Sequence, residues 1–103
     1  MRIIELDAGN WRSALDFYND LLAALGAPTG HGRNINALVD SMIWGGMNAV
    51  EAPYTIRILH TTKLSQEIRD ELELVKRVFA EACAEFHERR GHDVCIEWEI
   101  ETR

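Results

Sequence analysis

Four residues toward the C-terminal end carry ligand chemistry: Cys83, His87, His92 and Cys95, in the pattern Cys-x3-His-x4-His-x2-Cys. Two thiolates and two imidazoles are a donor set that suits zinc. The spacing matches no established zinc finger, however, and Cys83 falls on a helical apolar stripe while Cys95 falls within a strand pattern. Small buried thiols are therefore the reading for both, and neither a metal nor a cofactor is expected. A zinc-dependent enzyme or metal sensor built on these four residues stands as a competing class. His31 and His60 lie apart from the quartet and read as surface residues. Phosphate-cradling GxxxxGK[ST], dinucleotide GxGxxG, nucleophile-elbow GxSxG and metalloprotease HExxH patterns are all absent, so the chain is not expected to be an enzyme.

Two acids remain as candidates for recognition. Asp40 lies toward the C-terminal half of a short helical segment, where the helix dipole disfavours a carboxylate, so stability alone gives no reason for an acid there. Asn36 lies four residues earlier and shares its face. The bland alternative makes Asp40 one solvated acid among many. Glu81 follows Arg77 by four residues, and an ordinary intrahelical ion pair of a few tenths of a kcal/mol accounts for it locally.

The chain that must position these groups has 103 residues, 47% hydrophobic and 27% charged, with 17 acidic against 11 basic side chains and a formal charge of -6. That length suits one domain spanning residues 1–103, and the composition is too apolar for disorder. The acidic balance disfavours direct binding of nucleic acid or an anionic membrane and steers the protein toward basic partners. The opening Arg2-Ile3-Ile4-Glu5-Leu6-Asp7 does not read as a signal peptide, so none is expected, and no apolar run reaches the roughly 18 residues a membrane span needs. With two cysteines and no disulfide framework, a reduced, cytoplasmic protein is expected, monomeric when free.

The apolar spacing predicts a strand over about Arg2 to Leu6, then an amphipathic helix from Trp11 to Leu25 stopped by Gly26-Ala27-Pro28. Thr29-Gly30-His31-Gly32-Arg33 reads as an exposed, shaped loop. Asn34 suits the N-cap of a short helix from about Ile35 to Ile43, which buries Ile35, Leu38 and Met42 and ends at Gly45-Gly46. Tyr54 to His60 reads as a second strand after Pro53. Ser65 caps a long helix whose stripe of Ile68, Leu72, Val75, Phe79, Cys83 and Phe86 runs to Gly91. From Asp93 to Ile100, Val94, Ile96, Trp98 and Ile100 alternate with Cys95, Glu97 and Glu99, the pattern of an edge strand. Crossovers of this length favour an α/β fold: a small three-stranded parallel sheet with helices packed on it.

The run Trp11-Arg12-Ser13-Ala14-Leu15-Asp16 through Pro28 and Gly32-x-Asn34-x-x-Ala37-Leu38-x-Asp40 resembles the barstar family. So do Val78-Phe79-Ala80-Glu81-Ala82-Cys83-Ala84-Glu85 and Asp93-Val94-Cys95-Ile96, and length and element order agree. The resemblance implies a three-stranded parallel sheet and an immunity protein whose partner is a ribonuclease-like toxin of microbial origin. It implies that the second helix and the loop before it plug the toxin's active site, with Asp40 where an RNA phosphate would sit and Glu81 on the basic rim. Asn34, His31, Gly32, Val39, Asn36 and Trp44 then join Asp40 and Glu81 as partner-binding residues. The chain departs from the family pattern at Asn36, where an acid is expected, at Val39 in place of an aromatic, at Gly30 in place of a loop tyrosine, and at Trp44, which falls one position out of register. The alternative is an interaction module of the same fold for another basic partner, such as a toxin that is not a nuclease.

Overall fold

A computed structural model describes residues 2–101 of the chain. Three strands, β1 (Arg2–Asp7), β2 (Tyr54–Leu59) and β3 (Ile96–Ile100), form a parallel sheet in the order β1-β2-β3. Helix α1 (Ala14–Leu25) and a short helix α2 (Ile35–Val39) cross from β1 to β2, and the long α3 (Gln66–Arg90) crosses from β2 to β3. The expected α/β architecture is thus the observed one, including β3 at an edge.

Register explains how one sheet face became the core. Ile4, Ile56 and Trp98 are aligned across the three strands, as are Leu6, Ile58 and Ile100, and the shared period of two sends them to one side. Both long helices meet that side: the Trp98 ring lies 5.2 Å from Phe79 of α3 and 6.3 Å from Phe17 of α1, centroid to centroid. Phe17, Leu21, Leu25, Ile56, Ile58, Ile68, Val75 and Phe79 are all buried. Each large side chain so enclosed contributes about 1.5–3 kcal/mol relative to exposure. On the opposite face Arg57 stands between Glu5 and Glu99, 3.4 and 2.9 Å away, in a cross-strand ladder that holds the register on the wet side.

Local signals set the helix ends. Ser65 accepts from the Ile68 N–H at 3.3 Å, and Gly91 closes α3 in the left-handed conformation. Helix α1 starts at Ala14, three residues later than the apolar spacing implies. The Asp16 carboxylate accepts the N–H groups of Arg12 and Ser13, at 2.7 and 3.2 Å, which fixes the helix start at Ser13. Trp11 is therefore buried from outside the helix, with its indole N–H donating to Asp20 at 2.6 Å and its ring edge on Phe17. Gly26 ends α1 with φ of 64°, and a Cβ there would come within 2.7 Å of the Ala49 Cβ. The close approach lets Ala49 and Val50 donate to the carbonyls of Gly26 and Leu25 and ties the long 45–53 loop to α1. Between α1 and α3, the Tyr18 hydroxyl donates to the Glu71 carboxylate, and burial first, then Glu71, raises its pKa. Among the described residues no helix is long and apolar enough to cross a membrane.

Candidate functional site

The loop from Pro28 to Asn34 delivers the chain into α2, and the Asn34 side chain accepts the Ala37 N–H at 2.9 Å, the expected N-cap. Gly32 makes a close approach: a Cβ there would meet the Asn34 amide nitrogen at 3.0 Å and the Ala37 Cβ at 3.1 Å, so both would have to shift by a few tenths of an ångström. The cap and the missing side chain together fold the loop tightly over the first turn of α2.

The short helix differs from the Ile35–Ile43 expectation in its second half. Regular α geometry ends at Val39, and Asp40–Trp44 form a π-helical turn in which the Gly45 N–H reaches the Asp40 carbonyl at 3.1 Å. Wider winding lets Met42 and Ile43 both join Leu38 in the core, which a strict α period does not allow so readily. Ile35 is only half-buried. Backbone angles at Val39 and Asp40 are still those of a right-handed helix, so Asn36 and Asp40 share one exposed face as the spacing requires. The Asp40 carboxylate has no hydrogen bond or ion pair among the described residues.

His31 overturns its reading as a surface residue. It is 6% exposed, its Nδ1 lies 2.8 Å from the Gly32 carbonyl, and its Nε2 lies 2.8 Å from the hydroxyl of Ser41, which is wholly buried. The physical reason lies in Ser41, which falls three residues after Leu38 and so on the apolar stripe. A hydroxyl enclosed there needs a partner, and the Leu38 carbonyl at 3.5 Å is a weak one. The sequence carried that signal in the position of Ser41. It was missed because the histidine that answers it is ten residues away, across a loop.

Val39 is half-buried beside this turn, and Trp44, also half-buried, closes it. The Trp44 ring packs on Phe86 at 5.1 Å between centroids, and the Arg90 guanidinium carbon stands 5.4 Å from the indole centroid. A cation over a tryptophan face is attracted by the ring quadrupole, so Trp44 is already engaged within the chain on one side. Loop, α2, π turn and the C-terminal end of α3 therefore bring His31, Gly32, Asn34, Asn36, Val39, Asp40 and Trp44 into one region. Arg33 lies in the same loop, exposed, with its Nε donating to the Asn19 side chain.

Glu81 is placed differently, on the exposed face of α3. The ion pair expected with Arg77 is not formed among the described residues. The pairs present nearby are Arg89 with Glu85 at 2.9 Å and His87 with Asp93 at 2.8 Å.

The cysteine region also differs from expectation. Cys83 is half-buried and Cys95 is exposed, so the buried-thiol reading fails for Cys95. Cys95 precedes β3, which begins at Ile96, and stands exposed at the sheet edge. Both line an open cleft of about 440 Å³ between α3 and β3. Burial, then Asp93 and Cys95, pushes the Cys83 thiol up. His87 is turned to Asp93 and His92 stands edge-on against Phe86, and among the described residues no three His, Cys, Asp or Glu side chains converge to hold a metal.

Among the described residues, the Asp40 carboxylate is thus exposed and without an internal partner, on a turn held by a cap and a buried imidazole. The family model described as Barstar (barnase inhibitor) matches residues 1–99. Proteins of that family are ribonuclease inhibitors and not enzymes. No curated protein sequence matches the chain.

Proposed function

The chain belongs to the barstar family, and from that premise we propose that it is an immunity protein that binds a ribonuclease-like toxin in the cytoplasm and blocks its active site. Asp40 stands in for an RNA phosphate. Asn36 lies beside it, Gly32 and Asn34 shape the loop, Val39 and Trp44 supply apolar contact, and Glu81 meets the basic rim of the cleft. The toxin is the partner, no nucleic acid or membrane is bound directly, and the whole chain acts as one domain, monomeric when free.

The carrying observation is the exposed carboxylate of Asp40, without a partner among the described residues, on a turn whose neighbours are fixed. A nuclease cleft binds a polyanion and is positive. One carboxylate held ready in that cleft gains charge-assisted hydrogen bonds without the entropy of ordering a flexible loop. The net charge of -6 adds long-range steering. The test is a nuclease assay with any ribonuclease-like toxin found encoded beside this gene, and with barnase, each with and without the chain. Stoichiometric loss of RNA cleavage is expected with at least one of them.

A second reading is favoured by Asn36 and Arg33. A guanidinium and an amide stand seven and four residues before Asp40, which leaves this stretch less acidic than the chain as a whole. An interaction module for a basic partner that is not a nuclease fits that face too. Capture of such a protein with no loss of nuclease activity would select it.

A further inference from the structure

We propose that His31 and Ser41 form a buried latch that fixes the 28–34 loop onto the turn carrying Asp40, which makes His31 a positioning residue of the binding face. The role in binding rests on the reading of Asp40 as a contact residue. The latch itself does not.

The hydrogen-bond chemistry allows one arrangement of the neutral ring. Nδ1 faces the Gly32 carbonyl, 2.8 Å away, and a carbonyl only accepts, so Nδ1 carries the proton. Nε2 then presents a lone pair, and the Ser41 hydroxyl at 2.8 Å donates to it. The contact between His31, 6% exposed, and Ser41, 0% exposed, is shielded from water, where a lost partner leaves an unsatisfied group and no solvent to replace it, while the contact to the Gly32 carbonyl is only part-buried.

Position gives the latch its consequence. Ser41 directly follows Asp40, inside the π turn, where the backbone has left the α register. Gly32 precedes Asn34, the cap of α2, by two residues. The imidazole therefore joins the entry of the helical segment to its turn of changed winding, ten residues apart. The loop between Pro28 and Asn34 has little other anchorage: His31 N–H donates to the Pro28 carbonyl at 3.1 Å, and Arg33 reaches Asn19 from the exposed side. Without the latch the loop samples conformations in which the face is incomplete, and apparent affinity falls by the competent fraction.

The experiment uses the full chain and two substitutions chosen to keep the fold. Ser41→Ala removes the hydroxyl with little change of volume, and His31→Phe keeps a ring in place without its nitrogens. In the free wild-type protein, imidazole nitrogen NMR is expected to show the Nδ1–H tautomer, which is the minor one for free histidine. Ser41→Ala should speed amide exchange at Gly32, Arg33 and Asn34 by about fivefold, the ratio for one buried hydrogen bond, while amides of α3 keep their rates. A predominant Nε2–H tautomer, or loop exchange unchanged in both variants, overturns the latch whatever the partner.

Binding is then followed by stopped flow against barnase or the neighbouring toxin, whichever the wild-type chain inhibits. Slower association with nearly unchanged dissociation is expected for both variants. The double variant should lose no more than the worse single one, because the two groups act as one unit. Wild-type kinetics in variants whose loops exchange faster overturn the positioning role. If the wild-type chain inhibits neither nuclease, the proposed function fails, while tautomer and exchange still decide the latch.

Discussion

Asp40 and Glu81 are both exposed acids on helices, yet their surroundings are opposite. Asp40 sits at the junction of α2 with a π turn, between a capped entry and a buried Ser41 that His31 holds. Glu81 sits mid-way along a regular 25-residue helix, with ordinary winding on either side and no ion pair to Arg77. One carboxylate stands on a turn fixed by the Asn34 cap and the His31–Ser41 contact, and the other is carried by a regular helix whose inner face packs on the core. A charge that must fit a cleft needs the first kind of support. A charge that only adds to the field of a surface needs none, since long-range attraction tolerates a mobile side chain.

The largest expected effect breaks the comparison at its stronger side. Asp40→Ala should weaken binding of the toxin by about 2 to 5 kcal/mol, a magnitude for which a complex of this same family is a reference case and which is carried over on that ground. Thermal unfolding should hold within about 0.5 kcal/mol, because the carboxylate is exposed and has no partner among the described residues. Titration calorimetry beside a melting curve reads both, and wild-type affinity in Asp40→Ala would remove the phosphate mimic. A smaller effect is expected at Asn36. Asn36→Asp restores a second acid one turn away on the same face and should shift preference among ribonucleases. It improves binding where a basic group faces it and impairs binding where none does. Equal affinity of both forms for several nucleases would show that this position does not select partners.

What could be read from the sequence divides along a similar line. The Asn34 and Ser65 caps, the stop at Gly91, the stripe from Ile68 to Phe86 and the alternation of Ile96, Trp98 and Ile100 depend on neighbours within a few residues, and spacing reveals them. Crossover length then implied a parallel sheet. The misread features depend on which of several possible contacts the fold selects, within a turn or two of chain as well as across a loop. Trp11 continues the helical spacing but is excluded from α1 by Asp16 and held by Asp20. The π turn arises because Leu38, Met42 and Ile43 all have to reach the same core. His31 looks like a loop histidine until Ser41 is placed behind it, and Cys95 looks buried until β3 is seen to begin at Ile96. At the candidate site Asp40 was singled out by resemblance and by its poor fit to the helix dipole, and the Asn34 cap was legible, while the His31–Ser41 contact and the π turn were not.

The smallest effects belong to the weaker side of the comparison. Raising the salt from low to above physiological concentration should slow association markedly and change dissociation much less, because the excess of acidic over basic residues acts at distances that ions screen. An association rate that stays flat would mean that steering contributes nothing. Glu81→Ala should then remove one part of that field: association slows within the first few-fold and its salt dependence becomes shallower. Affinity should fall by no more than about 1 kcal/mol, the ordinary ceiling for an exposed pair. Stability should stay level, since no internal ion pair to Arg77 is lost. If Glu81→Ala instead speeds dissociation as much as Asp40→Ala does, Glu81 is desolvated in the complex and not on its rim. The regular helix would then hold a fitted contact as well as the latched turn does, and the difference drawn between the two acids would be one of local architecture without a functional consequence.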